Sequence, residues 1–387
     1  MVGLMDNGGL FGILSPVGAK NVRQAFADVG FITNFVYRNA VAKPEDMNLT
    51  KEQSLNLKGY AITLIMIHNY VDHVLSSYCN EMGYHQAYTD AFLSRLWPVP
   101  SVWHCFAFAG WIGVAVFLML SGYGLTRKYG QQPIDQRLYV KRHATKLWLL
   151  LIPVYLLFVL IYHFGYGEPH NLLSVIAQCS FTINLFSYGD NGLIMEPGVY
   201  WFFGVILQLY LLFVALRRVR TAHLWMLLAA FIGFQYFTLY CTNDDFMWWA
   251  RQNFMGWGAP FVLGMIMART PQADGIGKRW LLLGLPLLLA GLLLCLTVKW
   301  LTPLTEVVTA LAGICVVRLF TLRVIAWLGV LSPSIFVIHP LVRMVCYHSF
   351  VGSSLPFAMT VAIYIVIALA LSMAHHYLLN RVTAARK

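Results

Sequence analysis

About ten stretches of this chain stay apolar for the length of a bilayer crossing, and turns or short clusters of Lys and Arg separate them. A helix rises about 1.5 Å per residue and the hydrocarbon core is about 30 Å thick, so a crossing takes roughly 20 apolar residues. The runs at 57–78, 102–126, 147–164, 199–216, 223–241, 254–268, 280–299, 302–322, 325–347 and 356–378 meet that measure, the sixth being short. Lipid offers a backbone no hydrogen-bond partner, so such runs have to close their own hydrogen bonds as helices. The pattern therefore predicts an all-α fold, a polytopic membrane bundle of about ten transmembrane helices. With 59% hydrophobic and 11% charged residues, the chain holds more apolar surface than one water-soluble core buries. The net charge of +11 raises nucleic acid as a partner, but the basic residues form short clusters between apolar runs rather than one patch interleaved with aromatics. The expected partner is the lipid bilayer, with no nucleic acid.

The basic clusters recur at alternate ends of the runs: Lys51 and Lys58; Arg127 to Lys146; Arg217, Arg218 and Arg220; Arg269, Lys278 and Arg279; Arg318 and Arg323; then Arg381, Arg386 and Lys387. From Leu147 to Leu216 there is neither Lys nor Arg, although Glu168, Asp190 and Glu196 fall there. By the positive-inside rule both termini are expected in the cytoplasm and that long connection outside. Residues 1–50 read as a cytoplasmic N-terminal segment without a signal peptide, in which Val22, Phe26, Val29, Ile32 and Val36 recur as one face of an interfacial helix. Residues 51–380 read as the transmembrane domain and 381–387 as a basic tail. Thr50 and Gln53 have the spacing of a capping box that starts the first long helix. The seven cysteines lack CxxC spacing, so no metal site is expected; Cys79, Cys179, Cys241 and Cys346 fall toward the outer face, where a disulfide is open.

Within the first run, LKGYAITLIMIHNYVDHVLSSY, His68 follows Lys58 by ten residues, roughly 15 Å along the helix. An ionisable group at that depth is costly and marks a functional site by default. Asp72, at i+4 on the same face, is placed to orient one ring nitrogen and leave the other as a base. The competing reading is a polar helix face of His68, Asn69, Asp72 and His73 satisfied by neighbouring helices.

LKGYAITLIMIH resembles the first-helix signature of the acyltransferase family 3 membrane proteins. Four later segments resemble that family in its order: GWIGVAVFLMLSGYGLTRK, YVKRHATKLWLLLIPVY, YWFFGVILQLYLLF and LGVLSPSIFVIHPLV. The resemblance implies transfer of an acyl group, usually acetyl, from cytoplasmic acyl-CoA to a hydroxyl of an envelope glycan or glycolipid. It makes His68 the catalytic base or acyl carrier, Lys58 the basic residue at the cytoplasmic mouth, acyl-CoA the co-substrate, and a bacterial inner membrane the location. Three departures stand out. Many members place the basic residue eleven positions before the histidine, whereas Lys58 is ten before it; Ala115 stands where Asp is common, and Ile206 and Leu207 where Glu is common. Such changes leave a divergent substrate or a lost activity as open alternatives.

Other candidates complete the reading. Arg127, Lys128, Lys141, Arg142 and Lys146 are the cations for the phosphates of coenzyme A, or simply a topology-setting loop. Gly110, Gly113, Ser121, Gly122 and Gly124 allow close approach of a helix or ligand. Trp201, Gln208 and Tyr210 line the acceptor path or anchor a span end; His339 either joins them or caps the Phe336 carbonyl that Pro340 leaves free. Asn184, Tyr188, Asp190 and Asn191 offer a sugar-binding loop. The alternative function is a proton-coupled transporter or flippase with His68 and Asp72 as relay, against which the chain shows no inverted repeat.

Overall fold

The computed structural model describes residues 49–75, 79–96, 101–130, 132–168, 171–186, 192–270 and 277–384; the expected interfacial helix near the N-terminus lies outside them. Helix α1, Lys51–Leu75, begins at the predicted capping box, where the Thr50 amide donates to Gln53 Oε1 at 3.0 Å and the Gln53 amide to Thr50 Oγ1 at 3.1 Å. The short α2, Gln86–Ser94, precedes α3, Val102–Ala109, which runs through a 3₁₀ turn at Gly110–Ile112 into α4, Gly113–Tyr129. Then follow α5, Gln136–Leu160; the short α6, Leu172–Cys179, and α7, Ile183–Phe186; α8, Trp201–Leu216; α9, Thr221–Cys241; and α10, Asp244–Arg251. Last come α11, Phe254–Arg269; α12, Lys278–Thr297; α13, Thr305–Leu319; α14, Arg323–Phe350; and α15, Phe357–Ala384.

Among the described residues eight helices are long and apolar enough to cross a membrane, and α11 is a shorter apolar helix. The fold is thus an all-α polytopic bundle. Helix α1 is not among the eight, because Lys58, Asn69, Asp72 and His73 dilute its apolar run. It sits against α14, α3, α4, α13 and α15, and packing rather than lipid surrounds most of its length, so its polar residues are tolerated. Helix α5 starts eleven residues before its apolar run at Leu147, because the basic stretch from Arg137 to Lys146 is itself helical; the Asp135 side chain caps it by accepting from the Leu138 amide at 3.0 Å.

Two tight helix pairs form the centre. Gly59 of α1 lies directly on the Ile325 carbonyl of α14, and Gly329 of α14 on the Leu55 carbonyl of α1. In the same manner Gly122 of α4 meets the Phe261 carbonyl of α11, and Gly264 the Met119 carbonyl. Any side chain at these four positions would prise the pairs apart, and small residues at membrane-helix contacts serve this close approach. Polar groups then fix the register: Tyr364 Oη donates to the Met66 carbonyl at 3.0 Å, Tyr200 Oη to Val337 at 2.6 Å, and the Leu322 amide to Asn56 Oδ1 at 2.8 Å. Arg269 donates to the carbonyls of Leu216, Arg217 and Val219, while Arg217 reaches the Gln132 carbonyl at 2.7 Å. These contacts gather the ends of α4, α8 and α11 and the start of α9 at one basic end of the bundle.

Candidate functional site

His68 is held by the chain that crosses it. Its Nδ1 lies 2.9 Å from the Ala107 carbonyl and 3.2 Å from that of Phe106, where α3 gives way to the 3₁₀ turn. A carbonyl only accepts, so Nδ1 carries the proton and Nε2 keeps its lone pair. Gly110 permits this contact, since a Cβ there would stand 2.5 Å from the His68 Cβ. Asp72, expected to orient the ring, does not: its Oδ1 is buried without a hydrogen-bond partner, and backbone carbonyls do the orienting. The residue spacing placed Asp72 on the right face, but the aim of His68 is set by a segment almost forty residues later in the chain.

Two residues that the sequence did not assign to this site converge on the imidazole. A ring nitrogen of His68, Sγ of Cys79 and a carboxylate oxygen of Glu81 all lie within 4.8 Å of one another. Cys79 and Glu81 sit on the connection between α1 and α2, which Asn80 pins: its Nδ2 donates to Thr89 Oγ1 at 2.9 Å and the Leu296 carbonyl at 3.3 Å, and its Oδ1 accepts from the His85 amide at 2.9 Å. Arg251 Nε adds a bond to the Glu81 carbonyl at 3.0 Å. Burial pushes the Glu81 carboxyl up to about 7, with the Arg251 charge opposing it. Arg343 lies one helical turn past His339 on α14, and its Nε is buried without a partner. No local pattern announces Cys79 and Glu81 as neighbours of His68; the one sequence signal was their presence just past the end of the first run. All seven cysteines are free thiols.

Arg251 is itself bracketed. It pairs with buried Glu306, whose other oxygen accepts from Gln235 Nε2 at 3.2 Å, and its guanidinium lies 4.2 Å above the Trp257 ring. Trp201 stacks on Trp257 at 5.2 Å, so Trp201 is a core residue rather than a span-end anchor. Gln208 is likewise occupied, donating to Asn253 Oδ1 at 2.9 Å and accepting from the Phe254 amide at 2.8 Å, which caps α11. Buried Asn184 donates to the Trp201 and Gln252 carbonyls, a structural bracket and not a sugar contact; Tyr188, Asp190 and Asn191 lie outside the described residues. His339 is buried with Nδ1 3.0 Å from the Ile335 carbonyl one turn back, the residue before the Phe336 whose carbonyl the capping reading named, while its Nε2 has no partner.

Toward the basic end two cavities adjoin, sharing Lys58, Phe117, Ser121, Leu147 and Tyr210. One, of about 320 Å³, is lined by Lys128, His143 and Lys146; the other, of about 470 Å³, extends to Phe202, Phe203, Ser332 and Phe336. Lys58 therefore faces this cleft and not the ring of His68, as a one-residue change of spacing, about 100°, requires. Phe336 closes on the His339 ring at 5.7 Å, and His68 lines neither cavity. A third cavity of about 600 Å³ gathers Arg127, Lys128, Arg217, Arg218, Arg220 and Arg269 with no acidic residue among its lining. The last four cations were read from sequence only as topology signals. Lys141 and Arg142 are exposed and line none of these three cavities.

A model of the acyltransferase 3 family, described as an acyltransferase domain, matches residues 54–377. No curated protein and no solved structure matches the chain.

Proposed function

The chain belongs to the acyltransferase 3 family of membrane proteins, and from that premise we propose that it moves an acyl group, acetyl in the simplest case, from acyl-CoA to a hydroxyl of an envelope glycan or glycolipid. The observation that carries this reading is the cleft: cations Lys128 and Lys146 at its basic mouth, Ser121 and Tyr210 along it, and Phe202, Phe203 and Phe336 in its depth. That order, anionic-binding to polar to apolar, matches the diphosphate, pantetheine arm and acyl end of the donor. Lys128 also lines the Arg-rich cavity, which suits the remaining phosphate of coenzyme A. The basic end and both termini then face the cytoplasm, with a bacterial inner membrane as the location.

In this mechanism Phe336 swings aside and brings the thioester beside His68. The acceptor hydroxyl attacks the thioester carbon as Nε2 takes its proton; the tetrahedral intermediate then collapses, its C–S bond breaks, and the coenzyme A thiolate recovers the proton. Arg343 supplies positive charge for the developing oxyanion. The transporter reading required His68 and Asp72 in relay, and among the described residues no hydrogen bond joins them. In the test, detergent-purified protein is titrated with acetyl-CoA by calorimetry and supplied with envelope extract, whose glycans are weighed by mass spectrometry. Wild type binds and consumes the donor, and His68→Ala lowers turnover by roughly 10²- to 10⁴-fold while binding persists. Protein that neither binds nor consumes acyl-CoA refutes the proposal.

A further inference from the structure

The convergence of His68, Cys79 and Glu81 has no counterpart in the acyl-transfer steps above. One nitrogen, one sulfur and one oxygen donor, mutually within 4.8 Å, form the mixed set that zinc-class ions take, and three protein ligands leave a fourth position open. The surroundings are built for it. Metal-bound histidines direct their other ring N–H to a carbonyl or carboxylate, and His68 Nδ1 is held by the carbonyls of Ala107 and Phe106. The two remaining donors flank Asn80, whose three hydrogen bonds, with the Arg251 bond to the Glu81 carbonyl, fix the backbone between them. A divalent ion bound by one thiolate and one carboxylate makes a neutral cluster, the form that burial tolerates best.

We infer that His68, Cys79 and Glu81 form a binding site for a single zinc-class divalent ion, which ties up the imidazole lone pair and so blocks the site while bound. Binding stands independently of the acyltransferase reading; the block rests on it. A neutral imidazole would serve as base only when the ion is absent, so the metal and the acceptor hydroxyl compete for Nε2.

Cobalt(II) provides the test, since its thiolate complexes absorb in the near ultraviolet. Full-length protein purified in detergent and stripped with chelator is titrated with cobalt, then with zinc. Wild type is expected to develop a thiolate-to-cobalt band that saturates at one ion per chain and is bleached by zinc. Cys79→Ser should abolish the band, and Glu81→Gln and His68→Gln should each weaken cobalt binding at least tenfold, with unchanged elution on gel filtration confirming folded protein. In the activity arm, zinc stops wild-type acyl transfer and raises its inhibitory concentration at least tenfold in Glu81→Gln, each compared with its own metal-free rate. A wild-type chain with no band, or a band that survives Cys79→Ser, overturns the proposal. A band lost in Cys79→Ser in a chain that transfers no acyl group supports the metal site and overturns the enzyme reading alone.

Discussion

Replacing Gly110 by alanine tests the packing that aims the imidazole. A methyl built there falls 2.5 Å from the His68 Cβ, 2.8 Å from the Leu64 carbonyl oxygen and 3.3 Å from the His68 Cγ. Carbon atoms rest at about 3.5–4.0 Å, so α1 and the Gly110 turn have to part by roughly 1 Å. His68 Nδ1 now sits 2.9 and 3.2 Å from its two carbonyls; another ångström takes both beyond hydrogen-bond range. Overpacking costs about 1–3 kcal/mol and the lost hydrogen bond about 1 kcal/mol, together about 2–4 kcal/mol. A reacting group displaced by about 1 Å loses on the order of 10²-fold in rate. The assay is a thermal melt of detergent-purified protein beside acyl-CoA turnover followed by released thiol. Gly233→Ala is the control, because a Cβ at that exposed position meets nothing within 4 Å. Gly110→Ala that melts with wild type and turns over at its rate would refute the claim that this contact sets the ring.

Two further outcomes follow from buried charge. Glu306→Gln leaves the Arg251 guanidinium buried beside Trp257 without its carboxylate, which should lower stability by about 3–5 kcal/mol, whereas Arg251→Met with Glu306→Leu should recover most of the loss; a denaturant series on wild type and the two variants decides. Glu196, on the connection before α8, has its carboxyl raised above 4.5 by burial, with Arg343 opposing. The folded state thus holds that proton more tightly than the unfolded one, so the associated stability is full below about pH 4.5 and is lost as pH rises through the raised value. Wild type should lose melting temperature across that window relative to Glu196→Gln, and parallel curves would count against the assignment.

The crossing helices were legible because lipid-length apolar runs leave a backbone one choice, and among the described residues each of the ten runs falls on helical segments. The exceptions are instructive. Helix α5 extends into its basic stretch, because hydropathy marks where lipid begins and not where hydrogen bonding does. Residues judged singly fared less evenly. Trp201, Gln208 and Asn184 have the types that bind sugars, yet each is spent on the Trp257 stack, the α11 cap and the Gln252 carbonyl. Tyr210 and Lys58 do face the cleft, and the Gly110, Gly113 and Gly122 spacing does serve close helix contact, while Gly124 meets nothing and lines the cleft instead.

The sequence by itself determined that this chain is a helical membrane bundle, that His68 is a buried ionisable group, and that cations collect at one end; each follows from the cost of leaving a polar group in lipid, a cost that a run of neighbours along the chain reveals. Only the tertiary structure decided what His68 meets. Its orienting carbonyls come from α3, and Cys79 and Glu81 from the next connection. Helix-to-helix contact is set by which faces can approach within a hydrogen bond, and periodicity along one helix carries no record of its partner.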